Sequence, residues 1–85
     1  MPKSVFTDAQ KAVVEVLISA RKEAGLLQEE LAARIGKDQS FISNIERRQR
    51  RVDVLEFYAL ARAMNLEPAD LYAELVLKLP LSIEV

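Results

Sequence analysis

Hydrophobic positions along the chain fall into five blocks of helical period, separated by short polar breaks. In the first, Val13, Leu17, Ala20 and Ala24 recur three or four residues apart, and Val14 and Ile18 widen the stripe. Thr7 and Gln10 have the spacing of a capping box, which opens this helix at Thr7, and Gly25 supplies its stop. The second block runs from Gln28 to about Ile35, with Leu31, Ala32 and Ile35 inward and Gly36 as its end. Asp38 is a favourable N-cap for a third helix from Gln39 to about Arg47, whose inward positions are Ile42 and Ile45. Asp53 and Glu56 open a fourth, carrying Val54, Phe57, Leu60, Ala61 and Met64 up to a left-handed stop at Asn65. Pro68 suits the first turn of a fifth, with Leu71 and Leu75 inward.

The last stretch has a different period. Leu75, Leu77, Leu79, Leu81, Ile83 and Val85 are apolar at every second position, as in a strand. Pro80 cannot donate to a ladder, which restricts such a strand to an edge. A lone strand has no partner within a helical domain, so the alternatives are pairing with a second copy or a disordered terminus. The pattern therefore predicts an N-terminal arm at 1–6, an all-α domain at 7–76 and a strand-like tail at 77–85 that could join two chains.

Composition narrows the chemistry. The 85 residues suffice for one domain, and 51% of them are hydrophobic, which points to a further buried surface such as a subunit interface. With no Cys and no His, the commonest metal ligands and the usual base near neutral pH are absent. Two Gly cannot build a phosphate-cradling loop. These absences argue against an enzyme, a metal site, a cofactor or a small-molecule ligand. No run of about 18 apolar residues is present to span a membrane. The opening Met1-Pro2-Lys3-Ser4 lacks the apolar stretch of a signal peptide, so a cytoplasmic protein is expected.

The net charge of −1 hides a strong asymmetry. Residues 34–51 carry Arg34, Lys37, Arg47, Arg48, Arg50 and Arg51 against Asp38 and Glu46, a local excess of +4. Residues 52–85 carry an excess of −4. The basic segment brackets the third helix, whose outward face holds Gln39, Ser40, Phe41, Ser43, Asn44 and Arg47. Carboxamides can bond an adenine edge bidentately, Arg suits guanine or phosphate, and Ser adapts to either. Beside the arginines, this face has the form of base readers next to phosphate clamps. Phe41 could meet a thymine methyl or pack on its own helix. The run Arg47–Arg51 reads as an exposed loop that binds phosphate or simply solubilises the chain.

The residues Arg21…Ala24-Gly25-Leu26, Gln28-Glu29-Glu30-Leu31-Ala32, Ile35-Gly36, Gln39-Ser40…Ile42-Ser43…Ile45-Glu46-Arg47 and Ala61…Met64 resemble the Cro and phage-repressor, or Xre, helix-turn-helix family. The resemblance covers roughly residues 13–75. It implies five helices, with the motif at 28–47 and the third helix in the major groove. It further implies base contacts from Gln39, Ser40, Ser43 and Asn44. Gln28, Arg47, Arg48, Arg50 and Arg51 would lie on phosphate or in a minor groove, and Arg21 would pair with Glu46; Lys37 is added to the phosphate set by its place in the basic segment. The chain departs from the family pattern at Leu27, where Ser or Thr is usual, at Lys37, at Arg48, where Gly is frequent, and at Val52, where Pro is frequent.

These features together predict a repressor-like regulator of transcription that binds a double-stranded operator as a homodimer. A protein-interaction module such as an antitoxin, with DNA binding secondary, is the alternative. RNA recognition would call for exposed aromatic platforms, and aromatics make up 6% of the chain.

Overall fold

A computed structural model describes residues 7–83. It contains α1 (Asp8–Glu23), α2 (Gln28–Arg34), α3 (Gln39–Glu46), α4 (Val54–Ala63) and α5 (Pro68–Val76), and no strand among the described residues. The Thr7 N–H donates to Gln10 Oε1 at 3.1 Å and the Gln10 N–H to Thr7 Oγ1 at 3.2 Å, which satisfies two orphan donors at the start of α1. Asp53 and Glu56 make the same reciprocal cap on α4. At α2 the departure at Leu27 has its consequence. No side chain caps from that position, and Glu30 alone reaches back, accepting the Leu27 N–H at 2.8 Å.

Helices α1 to α4 end on one closure. The N–H groups of Leu26, Lys37, Gln49 and Leu66 return to the carbonyls of Arg21, Ala32, Asn44 and Ala61, with the residue before each donor in the left-handed region. Gly25 and Gly36 accept that conformation freely, and Asn65 tolerates it. The fourth such residue is Arg48, at φ 62°. Its place in the motif is where glycine is frequent, and the left-handed backbone is the physical reason. A Cβ there crowds the following carbonyl. Arg48→Gly is therefore expected to raise stability by about 1 kcal/mol. A urea midpoint that moves up with an unchanged slope would verify it.

The core sits around α1, which packs on α3 and on α5. That double contact buries Ala12 and Val16 beside Val14, Leu17 and Ala20, a wider stripe than one packing face requires. Ala24, expected inward, is exposed because it is the capping residue beyond the last turn. Leu31, Ala32, Ile42, Ile45, Leu60, Ala61, Leu71 and Leu75 complete the interior. Arg34 Nη1 donates to the Ala63 carbonyl at 2.8 Å, closing the end of α4 from α2.

Two expectations need correction. Val54 is 82% exposed: as the first residue of α4 it shares an outward face with Tyr58, while Leu60 and Ala61 turn into the core. The tail does not continue as a strand. The N–H groups of Leu77, Lys78 and Leu79 bond back to Ala73, Leu75 and Val76, so the chain leaves α5 in helical turns and rests Leu79 against the core. With no strand among the described residues to pair with, local helical bonds and the Leu79 contact outweigh the alternating pattern. Residues 84–85 of the tail and 1–6 of the arm lie outside the described residues.

Candidate nucleic-acid interface

Helices α2 and α3 pack closely together, and Leu31 and Ala32 of one and Ile42 and Ile45 of the other are buried in the shared core. Fixing the apolar side of α3 turns its polar side outward. Gln39, Ser40 and Arg47 are exposed on it, and Ser43 and Asn44 are half-buried. Phe41 leaves this face: it is half-buried and packs against the core.

A line of polar contacts runs from the interior to this face. Arg21 is the one buried charged residue among those described. Its Nε and Nη2 donate to the two Glu46 oxygens at 2.6 and 2.9 Å, and its Nη1 donates to the Leu26 carbonyl at 2.8 Å. Both side chains are about nine-tenths covered, at 11% and 10% exposure. Glu46 Oε1 also accepts Gln28 Nε2 at 2.9 Å. With its amide nitrogen given to the carboxylate, Gln28 presents Oε1 outward, where it accepts Gln39 Nε2 at 3.2 Å. Gln39 is thereby oriented with its carbonyl oxygen and one amide hydrogen left for the bidentate pattern that an adenine edge requires.

The other candidate residues are held differently. Asn44 Oδ1 accepts Arg47 Nη2 at 2.8 Å, which ties the two together at the end of α3. Lys37, in the turn before α3, lies with Nζ 5.5 Å from the Phe41 ring centre. Arg48 is exposed, as is Arg51. Arg50 is half-buried and does not stand with them: its guanidinium forks onto both Glu56 oxygens at 2.9 and 2.8 Å and lies 4.4 Å from the Phe41 ring centre. Hydrogen bonding from Arg50, aided by the Asp53 N–H, holds the Glu56 carboxyl below its ordinary range despite partial burial.

Sequence reasoning did not find the links from Gln28 to Gln39 and Glu46, nor the pair Arg50–Glu56. These partners lie 11, 18 and 6 residues apart, and no helical or strand period connects them. The caps of α4 carried a partial signal for Glu56, since Asp53-x-x-Glu56 already marks a capping box.

An apolar groove of about 510 Å³ opens between α4 and α5, lined chiefly by Val13, Val52, Val54, Phe57, Tyr58 and Tyr72. Phe57 and Tyr72 meet edge to face at 6.4 Å. No group of three or more acidic, His or Cys side chains is placed to hold a metal among the described residues. No helix among them is long and apolar enough to cross a membrane.

A short first helix of the pair, a tight turn and a second helix with its polar face outward define the helix-turn-helix class. Comparison with known proteins agrees: the family model described as "Helix-turn-helix" matches residues 17–71. A protein of Sinorhizobium fredii (strain NBRC 101917 / NGR234), described as an uncharacterized HTH-type transcriptional regulator, is 38% identical over 64 residues. That match covers 75% of this chain and 83% of the relative. An XRE-family-like protein from Pseudomonas syringae pv. tomato str. DC3000 superposes with a TM-score of 0.77 at 40% identity, over 85% of this chain and 88% of its own. The restriction-modification controller protein C.AhdI from Aeromonas hydrophila gives 0.66 at 35% identity, over 73% and 94%. The controller protein C.Esp1396I, solved as a tetramer with its natural operator, shares the fold with a TM-score of 0.77 at 24% identity, over 85% and 95%. The chain belongs to the Xre-type helix-turn-helix family.

Proposed function

We propose that this chain is a sequence-specific, double-stranded DNA-binding regulator of transcription that places α3 in the major groove and acts as a homodimer. The observation that carries the reading is the outward face of α3, where Gln39 is held at the end of the polar line from Arg21 and arginines follow at once. Gln39, Ser40, Ser43 and Asn44 are assigned to base edges. Gln28, Lys37, Arg47, Arg48 and Arg51 are assigned to the backbone or an adjacent minor groove. The protein works in the cytoplasm and catalyses no reaction. The regulator and operator-bound controller among its relatives support the same role.

Arg48 strengthens the reading. A left-handed arginine costs stability that a glycine would not, and a phosphate contact gives a reason to keep the charge there. Selection of bound fragments from genomic DNA, followed by titration against salt, tests the function. Affinity is expected to fall steeply between roughly 50 and 200 mM salt. Failure to enrich any duplex at low salt would reject it.

The homodimer is assigned to the α4–α5 groove, where Val54, Tyr58 and Tyr72 are exposed. A two-fold contact there would bury these side chains against their own copies. Tyr58→Asp is expected to leave the fold intact and shift the chain to monomer in sedimentation equilibrium. If the mass stays dimeric, the interface lies elsewhere.

A further inference from the structure

The loop after α3 is held by a cluster that joins four parts of the chain. Arg50 pairs bidentately with Glu56, on α4. It also donates to the Arg51 carbonyl at 3.1 Å, and so ties down its own loop. Its guanidinium lies 4.4 Å from the centre of the Phe41 ring, on α3. Lys37, from the turn between α2 and α3, approaches the same ring at 5.5 Å. Glu56 Oε1 accepts the Asp53 N–H at 3.0 Å as well, so one carboxylate both caps α4 and holds Arg50.

A guanidinium used in this way is poorly placed to act as a phosphate clamp. To reach phosphate it would give up a forked ion pair, a ring face and a backbone carbonyl together. Each of these contacts fixes a different element, which suits a part that sets geometry. We propose that Arg50 is a positioning residue of the DNA interface, a latch that locks the arginine loop to α3 and α4 and so aims Arg47 and Arg48 at the backbone. The proposal rests on the DNA-binding reading and adds to it that Arg50 acts through its neighbours.

The two roles give opposite results in one mutant series, measured on the best duplex selected by the wild-type chain at a temperature where every variant is folded. As a latch, Arg50→Ala weakens binding on the order of tenfold while the slope of log affinity against log salt stays unchanged, because Arg47 and Arg48 still reach phosphate but the loop must first be ordered on binding. Arg50→Lys keeps the charge but loses the fork, and does not rescue. Glu56→Gln retains a capping oxygen but loosens the latch, and also weakens binding. As a phosphate clamp, Arg50→Ala would flatten the slope by about 0.9, Arg50→Lys would recover most of the affinity, and Glu56→Gln would tighten binding by freeing the arginine. That second set of outcomes overturns the proposal. Amide hydrogen exchange measures the latch without DNA: Arg50→Ala is expected to speed exchange through residues 48–53, and unchanged exchange there overturns it. Should the wild-type chain select no duplex at all, the DNA-binding reading fails, and exchange still decides the latch.

Discussion

Replacing Arg21 by alanine is expected to cost about 3–5 kcal/mol, the largest effect of any single change outside the apolar core. The substitution strands Glu46 as a largely covered carboxylate and leaves the Leu26 carbonyl without its donor. An 85-residue domain has a total stability on the order of 5–15 kcal/mol, so the variant would sit close to unfolding. Thermal denaturation should show a midpoint lowered by about 12 °C or more. A drop of a few degrees would mean that water reaches the pair and that its burial contributes little.

The double replacement Arg21→Met with Glu46→Leu separates stability from function. Removing both charges and filling the space with apolar atoms is expected to cost much less than the single change, because the desolvation of two ions is removed with their attraction and the loss is confined to the donor of the Leu26 carbonyl. Gln28, however, then has no carboxylate to hold it, and Gln39 loses its oriented partner. Operator affinity should fall in a protein of ordinary stability. Equal affinity in the double variant would show that the polar line serves the fold alone.

The second large effect is on recognition. Gln39→Ala should cost about 1–3 kcal/mol on the selected operator and relax the base preference at one position of each half-site. Its contrast is Arg47→Ala, which should weaken all duplexes alike and reduce the salt slope by about 0.9 for the phosphate contact removed. Repeating the selection with each variant reads both outcomes. A Gln39 variant that enriches the wild-type sequence unchanged would remove Gln39 from the set of base readers and leave its bond to Gln28 as a structural contact.

How much of this was legible in the chain follows the range of the interactions. The caps at Thr7 and Asp53 and the stops at Gly25, Gly36 and Asn65 depend on residues three to five apart, and these were readable. Arg48 was not readable as a stop, since nothing in an arginine's chemistry favours the left-handed region. Its conformation is imposed by the Gln49 N–H closing onto Asn44 and by the loop that Arg50 ties to α4. Helix α4 shows the same limit for burial. It is apolar on nearly every side, so period alone could not say that Leu60 faces the core and Val54 the outer groove.

The sequence by itself determined the five helices, the turn between α2 and α3 and the outward face of α3, because backbone capping and amphipathic period act over a few residues. Tertiary structure decided which of those polar and basic groups are held by partners within the chain. The joining of Arg21 to Glu46, Gln28 and Gln39 needs α1, α2 and α3 packed together, and the capture of Arg50 by Glu56 and Phe41 needs α4 beside them. The described part of the apolar tail, up to residue 83, follows the same rule within one chain. Its alternation favours a strand, but a strand needs a neighbour, and within one chain the turn after α5 and the contact of Leu79 with the core win.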